Sequence, residues 1–410
     1  MKMGQVVRGG EQFETVIQAD HRGQIVKYGA DSGQVDAFGR QRVSTPYTLF
    51  DSTMRYTKRT DQWFESLTGN GTTNYLTNES SLELTTTTTS GDIVLRRTKQ
   101  RFPYQPGKSL LGLQSFIGAV PTAGLVQEVG YFDNENGVIL RANGTTLQFV
   151  IRSNATGSPV EDVINQSEWN IDNFPELNFS KAQILVIDLE WLGVGRVRCG
   201  FVIDGEIRYC HEFNHANNID TVYMTTAILP FSYRIENTSG QVTSHTLKQV
   251  CASLLSEGGY EPDGAIYSIS HSITAVANTS GERVTAGIRM AGGRTGNVIL
   301  PARIDVACDS NDLVQWRLRL NPTLSGVTWA PATNGRGNVE TTTAAGSVSG
   351  GTVVLTGLLS QGQATNLNID TAIRLALGVN ASGESDVLAL TVDSAVSAKA
   401  LGQLGWVEIA

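Results

Sequence analysis

The sequence predicts a mainly β protein: a jelly-roll or concanavalin-like β-sandwich, a C-terminal β-sandwich domain and an extended N-terminal arm. Three observations carry that expectation. The best-patterned run alternates apolar and polar residues with period two, as a strand does. The turn dipeptides Asn136-Gly137, Asn143-Gly144 and Asp204-Gly205 separate strand-like runs at short intervals. Glycine is abundant, 43 of 410 residues, and only 17% of residues are charged, against roughly 25% in an average globular domain.

Residues 1–45 show no sustained period of either kind. The stretch Gln18–Gln34 is polar and glycine-rich, which predicts an extended arm, ordered only where its own body or a neighbouring subunit holds it. Residues 46–258 read as one large β-sandwich domain. In Ser81–Thr89, the five threonines Thr85–Thr89 are flanked by Leu82 and Leu84 on one side and Ile93, Val94 and Leu95 on the other. This predicts a strand pair with its turn near Ser90-Gly91-Asp92. Further strands are expected over Gly137–Arg141, Thr146–Arg152, Gln183–Trp191, Arg196–Ile203 and Glu206–Phe213. Within Ile184–Leu192, the residues Leu185, Ile187, Leu189 and Trp191 form an apolar face, with Asp188 and Glu190 on the other. That is the pattern of a half-buried strand. The segment Glu257–Gly264 reads as a linker, so residues 259–410 form the C-terminal β domain. Its strands are expected over Val298–Val306, Val314–Leu320, Gly351–Gly357 and Asp386–Val392. Ala395–Leu404 is the single helical candidate, short and interrupted by glycine.

Charge and hydropathy exclude several classes. The net charge is −8 and the isoelectric point about 5.3, which argues against a whole-chain nucleic-acid binder. Residues 1–108 hold 14 Lys and Arg against 11 Asp and Glu, whereas the rest hold 17 against 28. That asymmetry suits an arm lying on an acidic partner. No apolar run approaches the roughly 20 residues of a membrane helix. The opening Met1–Gln5 lacks the apolar core of a secretory signal. We therefore expect the product to stay in the cytoplasm of the cell that makes it, unless it leaves inside something larger.

No cofactor is expected. Gln105–Ser109 resembles the end of a phosphate-binding loop, but Phe102 stands where that loop needs glycine. The four cysteines do not make a disulfide framework. Counting outward from Asp204-Gly205 puts Cys199 opposite Cys210, with Cα atoms about 5.5 Å apart. A disulfide is possible at that distance, but a reducing cytoplasm favours two buried thiols.

Two constellations could carry chemistry. His211-Glu212-Phe213-Asn214-His215 matches the H-E-x-x-H pattern of zinc proteases, which works on a helix, where positions four apart share a face. Here the string continues a strand, on which the two histidines stand roughly 13 Å apart, too far to share one zinc. We expect it to hydrogen-bond the sheet rim. The second constellation is Asp188 and Glu190. Two carboxylates on one strand face suit glycoside hydrolysis, although Val186 stands where such enzymes usually carry a third acid. The alternative is a solvent-facing or interface-facing strand face with Arg196 or Arg198 as partner.

A longer-range similarity bears on function. The segments Val35–Ser52, Val129–Gly137, Trp191–Arg198, Gly200–Glu206, His211–Asn217 and Leu255–Tyr260 together resemble virion structural proteins of tailed bacteriophages, especially marine and cyanobacterial ones. The resemblance spans most of residues 35–260. It implies a particle component and transfers no catalytic residue.

On that basis we expect a virion structural protein, localised in the particle and assembled in the host cytoplasm. A capsid-associated decoration or head-fibre protein is favoured, and a tail fibre or tail adaptor is the nearest variant. Its partners would be major capsid, tail or portal proteins and sister copies in an oligomer, a trimer being the simplest. Neither nucleic acid nor membrane is expected as a partner. Phe38, Arg40, Arg42, Tyr47 and Phe50 are the expected assembly contacts, since aromatics and arginines are enriched at interface hot spots. An arm that instead closes the edge of its own sandwich is an equal alternative. The rival class is a carbohydrate-binding or hydrolysing sandwich using Asp188 and Glu190, with a host-surface glycan as its ligand.

Overall fold

Period-two alternation becomes paired antiparallel strands throughout the computed structural model. The structure describes residues 45–241, 243–261, 266–270, 281–294, 296–309, 313–333, 336–369, 375–395 and 398–409. Before them it describes Asp36, Ala37 and the backbone of four short strands. Among the described residues there is no α-helix, only the 3-10 turn Gln166–Glu168. The protein is mainly β and is built on sandwiches. The chain divides into two units, one of Met1–Arg97 with Tyr104–Tyr260, the other of Thr98–Pro103 with Glu261–Ala410.

The first unit is a β-sandwich of two antiparallel sheets. One sheet runs, edge to edge, Glu206–Phe213, Val197–Ile203, Ala182–Leu189, Ser109–Ile117, His245–Glu257, Ser81–Thr86, Thr72–Leu76. The 13-residue strand His245–Glu257 pairs with Ser81–Thr86 through residues 245–249 and with Tyr47–Thr53 through residues 251–256. One residue bulges from it near Val250 and Cys251, where that partner changes. The other sheet runs Val160–Asn165, Thr146–Ser153, Gly137–Asn143, Leu125–Phe132, Phe231–Asn237, Ile93–Thr98, Trp63–Thr68.

Large aromatics fill the space between the sheets. Trp63 lies 5.8 Å from Tyr233 and 5.9 Å from Phe50, and Tyr131 lies 5.6 Å from Phe231. Each such ring contributes about 1.5–3 kcal/mol by leaving water. Arg96 is buried among them. Its Nε donates to Gln249 Oε1 at 2.6 Å, its Nη1 pairs with Glu65, and its guanidinium lies 5.5 Å from the Trp63 ring. Burial lowers its pKa to about 10, yet it stays charged at neutral pH.

Several expectations change once the sheets are seen. Ser81–Thr86 and Ile93–Thr98 do not pair with each other. They lie in different sheets, so the threonine run turns a corner between layers. Asp92 holds that corner by accepting from Asn70 N at 2.7 Å and Thr87 N at 2.8 Å. Asn136-Gly137 is not itself the turn. Residues 133–136 form a four-residue loop between Phe132 and Gly137, in which Asp133 Oδ1 accepts from Glu135 N and Asn136 N. The backbone before residue 29, expected as an extended arm, pairs Val6–Arg8 with Glu11–Phe13 and Val16–Ala19 with Ile25–Tyr28.

The second unit encloses its own core between a four-stranded and an eight-stranded sheet, with Trp316, Leu390, Leu404 and Trp406 buried inside. The expected helix over Ala395–Leu404 is absent from its described residues. Ala400–Ile409 is a strand between Val298–Cys308 and Ile266–Ser270. Its alternation of buried Gly402 and Leu404 with half-buried Leu401 and Gln403 has a period of two.

Candidate functional site

The hairpin Val197–Ile203 to Glu206–Phe213 positions most of the residues singled out from the sequence. Asp204 and Gly205 form its two-residue turn with φ of 51° and 84°, the left-handed pair that type I′ needs. The expected register holds for four pairs, from Ile203 with Glu206 to Gly200 with Tyr209. It then slips, and Cys199 faces His211. Cys210 is the extra residue of a β-bulge. It does not stand opposite Cys199, and both thiols are free and buried. Burial pushes the Cys210 thiol up to about 12.

Asp188 is fully buried and faces this hairpin. Its Oδ2 accepts from Arg198 Nη2 at 2.6 Å and from Tyr209 Oη, and its Oδ1 accepts from Ser109 Oγ at 2.9 Å. The Arg198 guanidinium lies 4.2 Å from the Tyr209 ring centroid. Arg198, one of the two expected partners, is therefore the one that pairs. The strand is not half-buried as its alternation implied, because residues Leu185 to Leu189 are buried on both faces. Glu190 lies beyond the strand end and closes its own loop. Its N donates to Arg196 O at 3.0 Å and its Oε1 accepts from Arg196 N at 2.9 Å. Trp191 Nε1 donates to Met224 O at 3.0 Å. Glycoside hydrolysis needs two carboxyls open to one cleft. Asp188 is sealed beneath Arg198 and Tyr209, so the expected carbohydrate pair of Asp188 and Glu190 is not presented to a sugar.

The H-E-x-x-H string is spent on packing. His211 and Phe213 meet edge to face at 4.4 Å, and His215 stacks on Tyr223 at 4.0 Å. His211 Nδ1 accepts from Asn170 N at 3.3 Å, and His215 Nδ1 donates to Gly195 O at 2.6 Å. No group of three metal-ligating side chains occurs among the described residues.

Burial holds both imidazoles below their ordinary pKa, against the opposing pull of Asp162. The unfolded chain therefore takes up protons below about pH 6.5 before the folded chain does, and stability falls as pH drops from 7 toward 5. The melting temperature should decline over that range, and His211→Phe should flatten the decline. An unchanged slope in the variant would remove His211 from the account.

Glu212, between the two histidines, reaches the arm through Arg196. Asn214 Nδ2 donates to Glu212 Oε1 at 2.8 Å, and Arg196 Nη1 lies 3.4 Å from Glu212 Oε2. Arg196 Nε and Nη2 both donate to Ala37 O, at 3.0 and 2.8 Å. Asp36 and Ala37 are buried there, at 4% and 1% exposure. Sequence reasoning named Arg196 only as a partner for the acids. Its spacing to the arm gave no signal, because 159 residues separate the two.

Of the expected assembly residues, Phe38, Arg40 and Arg42 lie outside the described residues. Tyr47 is half-buried and packs on Tyr260 at 5.4 Å. Phe50 is 6% exposed and lies against Trp63 and Phe231, so its side chain serves the core rather than a neighbour.

No family model and no curated protein matches the chain. Solved structures give weak similarities over about half of it. A β-glucanase from Bacillus licheniformis is 13% identical, with a TM-score of 0.34 over 52% of this chain and 98% of its own. Peanut lectin, solved with a 9mer peptide, is 10% identical at 0.33, over 52% and 98%. The CBM2 module of the evolved Dit of Lactobacillus casei BL23 phage J-1 is 8% identical at 0.35, over 53% and 98%.

Proposed function

We propose that this chain is a structural component of a tailed-phage particle, a capsid-associated decoration or head-fibre protein attached through the residues before Asp36. The observation that carries the reading is the resemblance of residues 35–260 to virion structural proteins. The structure supports it by the use it makes of those residues. Trp191–Arg198 forms the loop that holds Ala37, His211–Asn217 orients that loop, and Leu255–Tyr260 meets the strand that follows the arm. Asp36 and Ala37, within the arm, are buried and Arg196 donates twice to Ala37 O. The two short hairpins that precede them pair only within themselves in the described sheets. Isolated two-stranded hairpins are marginal in water, so a neighbour that covers them would gain specificity and hold the particle contact.

The test is a deletion of residues 1–34 in the source phage, with copies per purified particle counted by quantitative mass spectrometry. The full chain should be present, at hundreds of copies for a lattice component. The truncated chain should fall to background while its isolated body keeps the wild-type melting temperature. Absence of the full chain from particles, or normal incorporation of the truncated one, would overturn the proposal.

A further inference from the structure

On the outer face of the seven-stranded sheet, charged residues stand in rows that cross the strands. Arg234 faces Glu128 and Glu128 faces Arg141 in direct register. Two residues along each strand the row becomes Arg97, Ser232, Gly130, Ile139 and Val150. Beyond it, Arg152 faces Glu161. The result is a trough of about 550 Å³, within the size range of ligand sites.

The charges are layered. The Glu128 side chain is 2% exposed and takes three arginines: Arg141 at 2.8 Å, Arg234 at 3.1 Å and Arg152 at 3.5 Å. Those guanidiniums lie above it at 11%, 25% and 15% exposure. Arg97 forms a further wall, donating to Ser232 Oγ at 2.9 Å and Asn134 Oδ1 at 3.1 Å. The trough thus has four arginines against two lining glutamates, an excess of two positive charges on a chain of net −8. Glu161, which pairs with Arg141 and Arg152, reduces the excess to one.

We propose that this trough binds an acidic saccharide, a short chain bearing carboxylate or sulfate groups. From the strand of Arg97 to that of Arg152 there are four strand spacings, about 19 Å, which suits an oligosaccharide rather than one sugar. Guanidiniums recognise carboxylate and sulfate through paired N–H donors. Asn134, Asn143 and Ser66 on the lining offer the amides and hydroxyl that sugar hydroxyls use. Arginines anchor peptides as well as saccharides, and what disfavours an acidic peptide is the lack of an exposed aromatic ring beside them. The one aromatic ring among the described lining residues, Phe132, is 1% exposed. The inference stands on this sheet alone and does not depend on the particle role.

The test is binding of the full chain to tetragalacturonate by calorimetry at low salt, with dextran sulfate, neutral dextran and poly-glutamate as parallel probes. Tetragalacturonate or dextran sulfate should bind and weaken as salt rises, and neutral dextran should not bind. Arg97→Gln and Arg152→Gln should each weaken binding at least tenfold. Asn134→Asp, a change at an exposed position, should weaken it severalfold with the melting temperature unchanged. Arg303→Gln, which removes the same charge in the other unit, should leave it unaltered. Lack of binding to both acidic saccharides, tighter binding of poly-glutamate, or equal weakening by Arg303→Gln would overturn the proposal.

Discussion

Replacing Asp188 with alanine is expected to cost about 3–5 kcal/mol of stability, the usual result of breaking a buried ion pair from one side. The loss comes less from the contact removed than from what remains. Arg198 is fully buried, and its charge would lose its carboxylate counter-ion while still facing the Tyr209 ring, 4.2 Å away. The hydroxyls of Ser109 and Tyr209 would lose the carboxylate as an acceptor as well. A matched double replacement, Asp188→Leu with Arg198→Met, removes both charges and should recover most of the loss, because an apolar pair of similar volume is often no worse than a buried ion pair. Urea unfolding of the three variants measures this. A single-variant cost under about 1 kcal/mol, typical of surface pairs, would mean that water reaches the site.

Gly200→Ala should be the second large effect, at about 1–3 kcal/mol, although it adds one methyl. Gly200 sits beside the bulge, and a Cβ there would come within 2.1 Å of Arg208 O and 2.7 Å of Tyr209 Cα. Both are backbone atoms and cannot rotate away. The strand pair must open, which moves Tyr209 away from Asp188. The expected signs are a melting temperature lower by several degrees and faster reaction of Cys210 with a thiol reagent. Gly240→Ala, where the nearest atom is Thr88 O at 3.7 Å, should stay within about 0.5 kcal/mol of wild type. Equal behaviour of the two variants would show that the hairpin tolerates a wider register than the bulge implies.

How far the site was legible follows from the range of each signal. The hairpin at Asp204-Gly205 was read correctly because the turn demands two left-handed residues, a local requirement. The pairing of Cys199 with Cys210 failed because one inserted residue cancels the count, and no local pattern marks a bulge. Asp188 and Glu190 read as an exposed acidic face because alternation reports which residues differ, not whether the polar side meets water. What covers Asp188 comes from Arg198, Tyr209 and Ser109, up to 79 residues away. Phe50 failed as an interface residue for the same reason, since its partner Phe231 lies far along the chain.

The sequence by itself determined that this protein is mainly β and where many of its strands begin and end. Those features depend on neighbouring residues and on the two-residue repeat of a strand. Only the tertiary structure decided which sheet each strand joins, that Asp188 is sealed, that Arg196 holds Ala37, and that four arginines gather around Glu128. These depend on pairing between strands distant in the chain, where each contact is specified by the register of a whole sheet.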